Sequence, residues 1–237
     1  MTAEHPPTRR ILSAGWLLLA LVAAGAAPAF AHGIAGGDQA YLTQAGGVRI
    51  APFVYLGAKH MATSYDHLLF LVGVIFFLYR MRDVAVYVTL FALGHSLTLL
   101  GGVLGGVHVN PWLIDAVIGL SVVYKALDNL AAWRVWLGRQ PDTKLAVFGF
   151  GLCHGFGLAA KLQDFALPAE GLVVNILAFN VGVEIGQVLA LGTILIAMDF
   201  WRRHHAFARQ ALAANVLLMA AGFTLTGYQI AGYFLNR

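Results

Sequence analysis

The chain holds a single cysteine, Cys153, so no disulfide can form within it and oxidative stapling plays no part in its fold. Charge is almost as scarce. Only 11% of the 237 residues are Asp, Glu, Lys or Arg, against about 25% in soluble domains, which excludes an ordinary water-soluble globule. No basic cluster interleaved with aromatics offers a nucleic-acid surface. No Gly-rich, Lys-bearing phosphate loop is present either, so the chain itself hydrolyses no nucleotide. What replaces charge is apolar: 59% of residues are hydrophobic, and the net charge of +4 is spread over short loops. The expected class is all-α, a polytopic membrane helix bundle, too short to carry a second soluble domain.

The N-terminus has its own pattern. In "TRRILSAGWLLLALVAAGAAPAFAHG", basic Arg9 and Arg10 precede an apolar stretch and then Ala29-Phe30-Ala31. That arrangement predicts a signal peptide over 1–31 with cleavage after Ala31; the alternative is an uncleaved signal anchor. Cleavage would leave His32 as the first residue, whose amine and ring nitrogen together chelate copper or nickel. A periplasmic or interfacial segment over 32–62 and a transmembrane bundle over 63–237 would follow.

With about 20 residues per crossing, the remainder predicts about six helices: 63–80, 84–105, 111–131, 145–163, 171–198 and 211–234, the first preceded by a short interfacial helix near 51–60. Pro111 suits a helix's first turn. Alternate loops carry the positive charge: Arg80 and Arg82, then Arg134, Arg139 and Lys144, then Arg202, Arg203 and Arg209. The loops "GGVHVN" and "QDFALPAE" have none inside them, with Lys161 at the edge of the second. The positive loops mark the cytoplasmic side, which places the protein in a bacterial inner membrane with both mature termini periplasmic. His60, Asp66 and His67 then stand at the periplasmic mouth of the first span and Asp115 at the start of the third. His95, His154 and Glu184 fall near the middle of spans two, four and five.

Ionisable residues at such depth cost about 2.5–3.5 kcal/mol each on insertion scales and usually face a bundle interior or an ion path. At about 100° per residue, Asn180, Glu184 and Gln187 share one stripe of span five, and His95 shares a face with Thr98. On a continuous helix His60, Ser64 and His67 align at i, i+4 and i+7. Imidazole with carboxylate is a donor set for first-row ions such as Ni²⁺, Co²⁺, Zn²⁺ or Cu²⁺, whereas an all-oxygen shell would suit Mg²⁺ or Ca²⁺. Each residue also has a plainer role: Asp66 as part of a capping box in "TSYD", His95 as an interhelical hydrogen bonder, Glu184 as a structural hub. Cys153 reads as small filler, and His108, His204 and His205 as loop residues. Together the candidate metal ligands are His60, Asp66, His67, His95, His154, Glu184 and His32, supported by Asn180, Gln187, Asp115 and Thr98.

The motifs bearing these residues, His60-x5-Asp66-His67 followed by "LLFL", "LGHSLTL" around His95, "HGFGLA" from His154 and "FNVGVEIGQ" over Asn180, Glu184 and Gln187, resemble the HupE/UreJ family over about residues 50–195. The resemblance implies a small membrane protein of nickel supply to hydrogenase or urease, with metalloenzyme maturation proteins as partners and with His60, Asp66 and His67 needed for metal uptake. Family members carry two histidines and a glutamate on the fourth span; here that span keeps His154, and the glutamate stands on the fifth. The expected function is therefore transport of a divalent transition metal rather than catalysis. A zinc hydrolase within the membrane, with His67, His95 and His154 as ligands and Glu184 as base, and an accessory of metalloenzyme assembly are the alternatives.

Overall fold

The computed structural model describes residues 47–163 and 170–236; the predicted signal peptide and His32 lie outside them. Among the described residues there are eight helices and no strand. They are α1 (Ile50–Thr63), α2 (Tyr65–Ile75), α3 (Met81–Leu104), α4 (Pro111–Asn129), α5 (Ala132–Leu137), α6 (Thr143–Gln163), α7 (Leu172–Arg202) and α8 (Phe207–Leu235). Four of them, α3, α6, α7 and α8, are each long and apolar enough to cross a membrane. Local chemistry sets several boundaries. Asn110 caps α4, its side chain accepting from the amides of Trp112 (3.0 Å) and Leu113 (3.4 Å), with Pro111 at the first position where its missing N–H costs nothing. Asp142 accepts likewise from the amides of Lys144 and Leu145 at the start of α6.

The helices pack as three close pairs. In the first, α1 runs parallel to α7: Gly47 meets Gly171, the Arg49 amide donates to Asn175 Oδ1 (2.7 Å), Val54 lies on Gly182 and Ala58 on Gly186. Backbone rests on backbone here, since a Cβ at Gly57 would collide with the Phe179 carbonyl and one at Gly182 with that of Val54; small residues are what permit such an approach between membrane helices. In the second pair α3 runs parallel to α6, with Gly94 against Phe148 and Leu152, and Thr98 donating its hydroxyl to the Leu152 carbonyl (2.7 Å). In the third, α4 runs antiparallel to α8, from Trp112 on Gly232 to Asn129 donating to Asn215 Oδ1 (2.9 Å).

Past the break α2 packs chiefly on α4, where Gly73 lies against Lys125 and its carbonyl accepts from Asn129 (2.9 Å), and it meets α7 again at its C-terminal end. Phe76 packs edge-on against Trp201 (5.6 Å between ring centroids), and Arg202 donates to the carbonyls of Ile75, Phe76 (2.8 Å) and Leu78 (2.9 Å). The Ile75 carbonyl belongs to the last turn of α2 and those of Phe76 and Leu78 to the residues just past it, so Arg202 ties down the end of α2. The segment near 51–60 is a helix, packed lengthwise on α7. It is the first part of a helix interrupted at Ser64.

The apolar interior divides into two clusters. One gathers Phe53, Leu56, Met61, Leu99, Leu158 and Phe179; the other gathers Phe70, Ile75, Phe76, Phe91, Val147 and Met198. On α3 His95 stands between Phe91 of one and Leu99 of the other, and on α6 His154 stands between Val147 and Leu158. The histidines occupy the layer between the two cores.

Candidate metal centre

Five titratable side chains from four helices meet in that layer. His60 comes from the last turn of α1, Asp66 and His67 from the first turn of α2, His95 from α3 and His154 from α6. Asp66, His67, His95 and His154 are each only 1% exposed, and His60 is buried with them.

The spacing of His60 and His67 works because the helix between them is broken. Ser64 takes an extended conformation (φ −79°, ψ 106°), closing α1 and opening α2. Across the break the two rings lie 5.5 Å apart, edge to face. The break also moves His60, Asp66 and His67 from the mouth of a span, where the sequence placed them, to the middle of the bundle. The physical reason is the α1–α7 contact: glycines at 57, 182 and 186 draw the preceding segment into the bundle and carry the motif down with it.

His67 is the hub. Its ring centroid is 4.6 Å from that of His154, 5.5 Å from His60 and 5.9 Å from His95. Asp66 Oδ1 lies 3.3 Å from His67 Nδ1. Asp66, His67 and His154 each offer one ligand atom, and the three atoms lie within 4.8 Å of one another. Both ring nitrogens of His95 are buried without a hydrogen-bond partner among the described residues. That is a costly state for a buried polar group, and a bound cation would engage the one nitrogen that carries the lone pair. Phenyl rings enclose the group: Phe91 is 5.0 Å from His154, Phe70 is 5.4 Å from His154 and Phe179 is 6.2 Å from His60. Such walls exclude water and strengthen electrostatic attraction within.

The other predicted residues have different surroundings. Thr98 ties α3 to α6 beside His95. Asn180 exchanges hydrogen bonds with Ser96 (3.1 and 2.8 Å), and Gln187 donates to the Val88 carbonyl at 3.5 Å; both join α7 to α3. Asp115 accepts from Lys161 Nζ at 2.8 Å, an ion pair between α4 and α6. Glu184 is exposed on α7 and stands outside the histidine group. His108 is exposed and contacts the Gly106 carbonyl (2.8 Å), and His204 and His205 adjoin one another in the turn between α7 and α8.

Sequence reasoning passed over Ser121, which lies 3.4 Å from His154 Nε2. A lone serine in an apolar helix carries no signal of its own. It also passed over a polar knot away from the histidines, where Lys125 donates to Asp128 Oδ2 (2.5 Å) and Asn129 Oδ1 (3.1 Å) while Gln140 and Thr143 (3.2 Å) also donate to Asp128.

The fold and this buried group define an integral membrane protein, all-helical, with imidazole and carboxylate donors at its centre. The chain belongs to the HupE / UreJ protein family, whose model matches residues 37–237. No curated protein and no solved structure matches it.

Proposed function

We propose that this protein binds a divalent transition-metal ion, Ni²⁺ or one similar to it, at the histidine–aspartate group and moves it across the bacterial inner membrane. The observation that carries this reading is the approach of Asp66, His67 and His154 ligand atoms to within 4.8 Å of one another. Nitrogen donors suit Ni²⁺, Co²⁺, Zn²⁺ and Cu²⁺, and one carboxylate adds the charge such an ion needs in a medium of low dielectric. On this reading α1 and α2 count together as one crossing, so that with α3, α4, α6, α7 and α8 the chain crosses six times. The helix directions agree with that count, α1–α2 running with α7 and α3 with α6. The positive loops then face the cytoplasm.

Conduction needs a site strong enough to replace water and weak enough to release. A compact group of donors at one level implies one principal station, with His60 and His95 joining or leaving as the ion arrives and departs. His32 at the mature N-terminus would collect the ion outside. Metalloenzyme maturation proteins, the partners that the family suggests, would receive it inside. The test is uptake: purified protein in liposomes should accumulate Ni²⁺ or Co²⁺, and His67→Ala should abolish accumulation. Equal uptake by both proteins would reject the scheme.

One observation favours a second reading. The ligands gather at one level rather than trailing in from the surface, and three protein ligands with an open position are what a hydrolytic zinc site requires. Zinc that survives purification at one ion per chain, together with hydrolysis of a lipid or peptide, would support that reading over transport.

A further inference from the structure

Two serines touch the histidine group, and each has already committed its only proton. Ser64 Oγ donates to the His60 carbonyl at 2.7 Å and lies 3.4 Å from His60 Nδ1. Ser121 Oγ donates to the Ile118 carbonyl at 2.6 Å and lies 3.4 Å from His154 Nε2. Both serines are buried. A hydroxyl has one hydrogen and two lone pairs, so a serine that gives its hydrogen to a helix carbonyl can only accept from the ring beside it. The ring nitrogen facing it must therefore be the N–H. A neutral imidazole has one such nitrogen, and the other then carries the lone pair.

We infer that Ser64 and Ser121 are positioning residues that hold His60 and His154 in opposite tautomers, so that a metal is met by Nε2 of His60 and by Nδ1 of His154. The inference rests on the metal-binding reading proposed above and deepens it by naming the ligand atoms. His67 follows the same rule through Asp66, whose Oδ1 lies 3.3 Å from Nδ1 and leaves Nε2 as the donor. A ligating histidine generally gives its second N–H to a fixed acceptor, which sets ring orientation and raises basicity. Here the acceptors are supplied by helix geometry: Ser64 reaches back four residues to the carbonyl that ends α1, and Ser121 three residues along α4. His95 has no such partner on either nitrogen among the described residues. It is the ligand whose tautomer and rotation remain open, fitted to be the one that engages and lets go.

The experiment uses the full chain in lipid nanodiscs with ¹⁵N,¹³C-labelled histidine, the signals of His60 and His154 being assigned by their loss in His60→Gln and His154→Gln. Ring carbon and nitrogen shifts in the metal-free protein should report Nδ1–H for His60 and Nε2–H for His154. Ser121→Ala should release His154 to a mixture of tautomers and weaken Co²⁺ binding by about 10–100-fold, the usual cost of losing the group behind a ligand. Ser64→Ala should do the same at His60, and Ser64→Thr, which keeps the hydroxyl, should restore it. The two serines are read separately, so poor folding of one variant leaves the other as a test. Finding Nδ1–H on wild-type His154, or unchanged tautomers in both alanine variants, overturns the inference. Wild-type protein that shows both tautomers and their release but takes no Co²⁺ would sink the transport reading and leave the serine locks standing.

Discussion

His67 and His154 face one another edge to face with ring centroids 4.6 Å apart, although one begins the second helix and the other stands midway along the sixth. This contact joins the broken helix to the α3–α6 pair, and any ion held there is held by both.

Removing either ring should therefore cost the site more than removing a supporting group. His67→Ala and His154→Ala are each expected to weaken Co²⁺ binding beyond the roughly 10–100-fold that follows loss of a group behind a ligand. His108→Ala, at an exposed loop, should change nothing. Equilibrium dialysis against Co²⁺ decides; wild-type affinity in both single variants would detach this contact from metal binding.

The α1–α7 seam has no room for a methyl group. Gly182→Ala sets a Cβ against the Val54 carbonyl, and overpacking of this kind costs about 1–3 kcal/mol. A lower melting temperature in detergent is expected, with weaker metal binding because α1 carries His60. Gly101→Ala is the control, since nothing lies within 4 Å of its Cβ position and alanine is the better helix former. Equal melting of the two variants would mean that α1 is not wedged against α7 as described.

Arg202 closes the end of α2 with donations to three carbonyls and lies over the Tyr79 ring at 4.7 Å. Hydrogen bonds to charged groups contribute about 1.5–3 kcal/mol each when buried, and half-burial of Arg202 puts the expected loss in Arg202→Ala toward the lower end. Amide exchange should rise over residues 73–79. Arg202→Lys should recover little, because an ammonium lacks the planar fork that serves several carbonyls at once. Full recovery by lysine would reduce the role to charge alone.

Glu184 gives the sharpest discrimination among the candidate ligands. It is exposed on α7, so Glu184→Gln should keep wild-type Co²⁺ affinity in detergent while Asp66→Asn loses it. The opposite result would mean that the α7 carboxylate reaches the ion and that the helix turns to deliver it.

The long elements were legible because lipid makes one simple demand, an apolar run of sufficient length. The bounds of α3, α6, α7 and α8 lie within a few residues of those read from hydropathy. The histidines on α3 and α6 were likewise legible, since few other forces would leave an imidazole in the middle of such a run. The break at Ser64 was not. "MATSYD" contains neither proline nor glycine, and an extended serine there is imposed by two helices that pack against different partners. Phase arithmetic across residues 60–67 assumed one continuous helix and so aligned His60 with His67 for the wrong reason. Glu184 failed to join the group for a related cause. Asn180, Glu184 and Gln187 do share one stripe, but α3 covers only the edge that holds Asn180 and Gln187. Angular position on one helix does not say how wide its neighbour is.

The pairing of α1 with α7 has a consequence for how the molecule comes into being. The first of these helices leaves the ribosome long before the second, and the flank that bears Val54, Gly57 and Ala58 has no partner until Phe179, Gly182 and Gly186 have been made. Pairings so distant in sequence form late. A half-synthesised chain therefore carries α1, and His60 at its end, without the flank that seats them, and this part of the bundle closes only when synthesis is nearly finished.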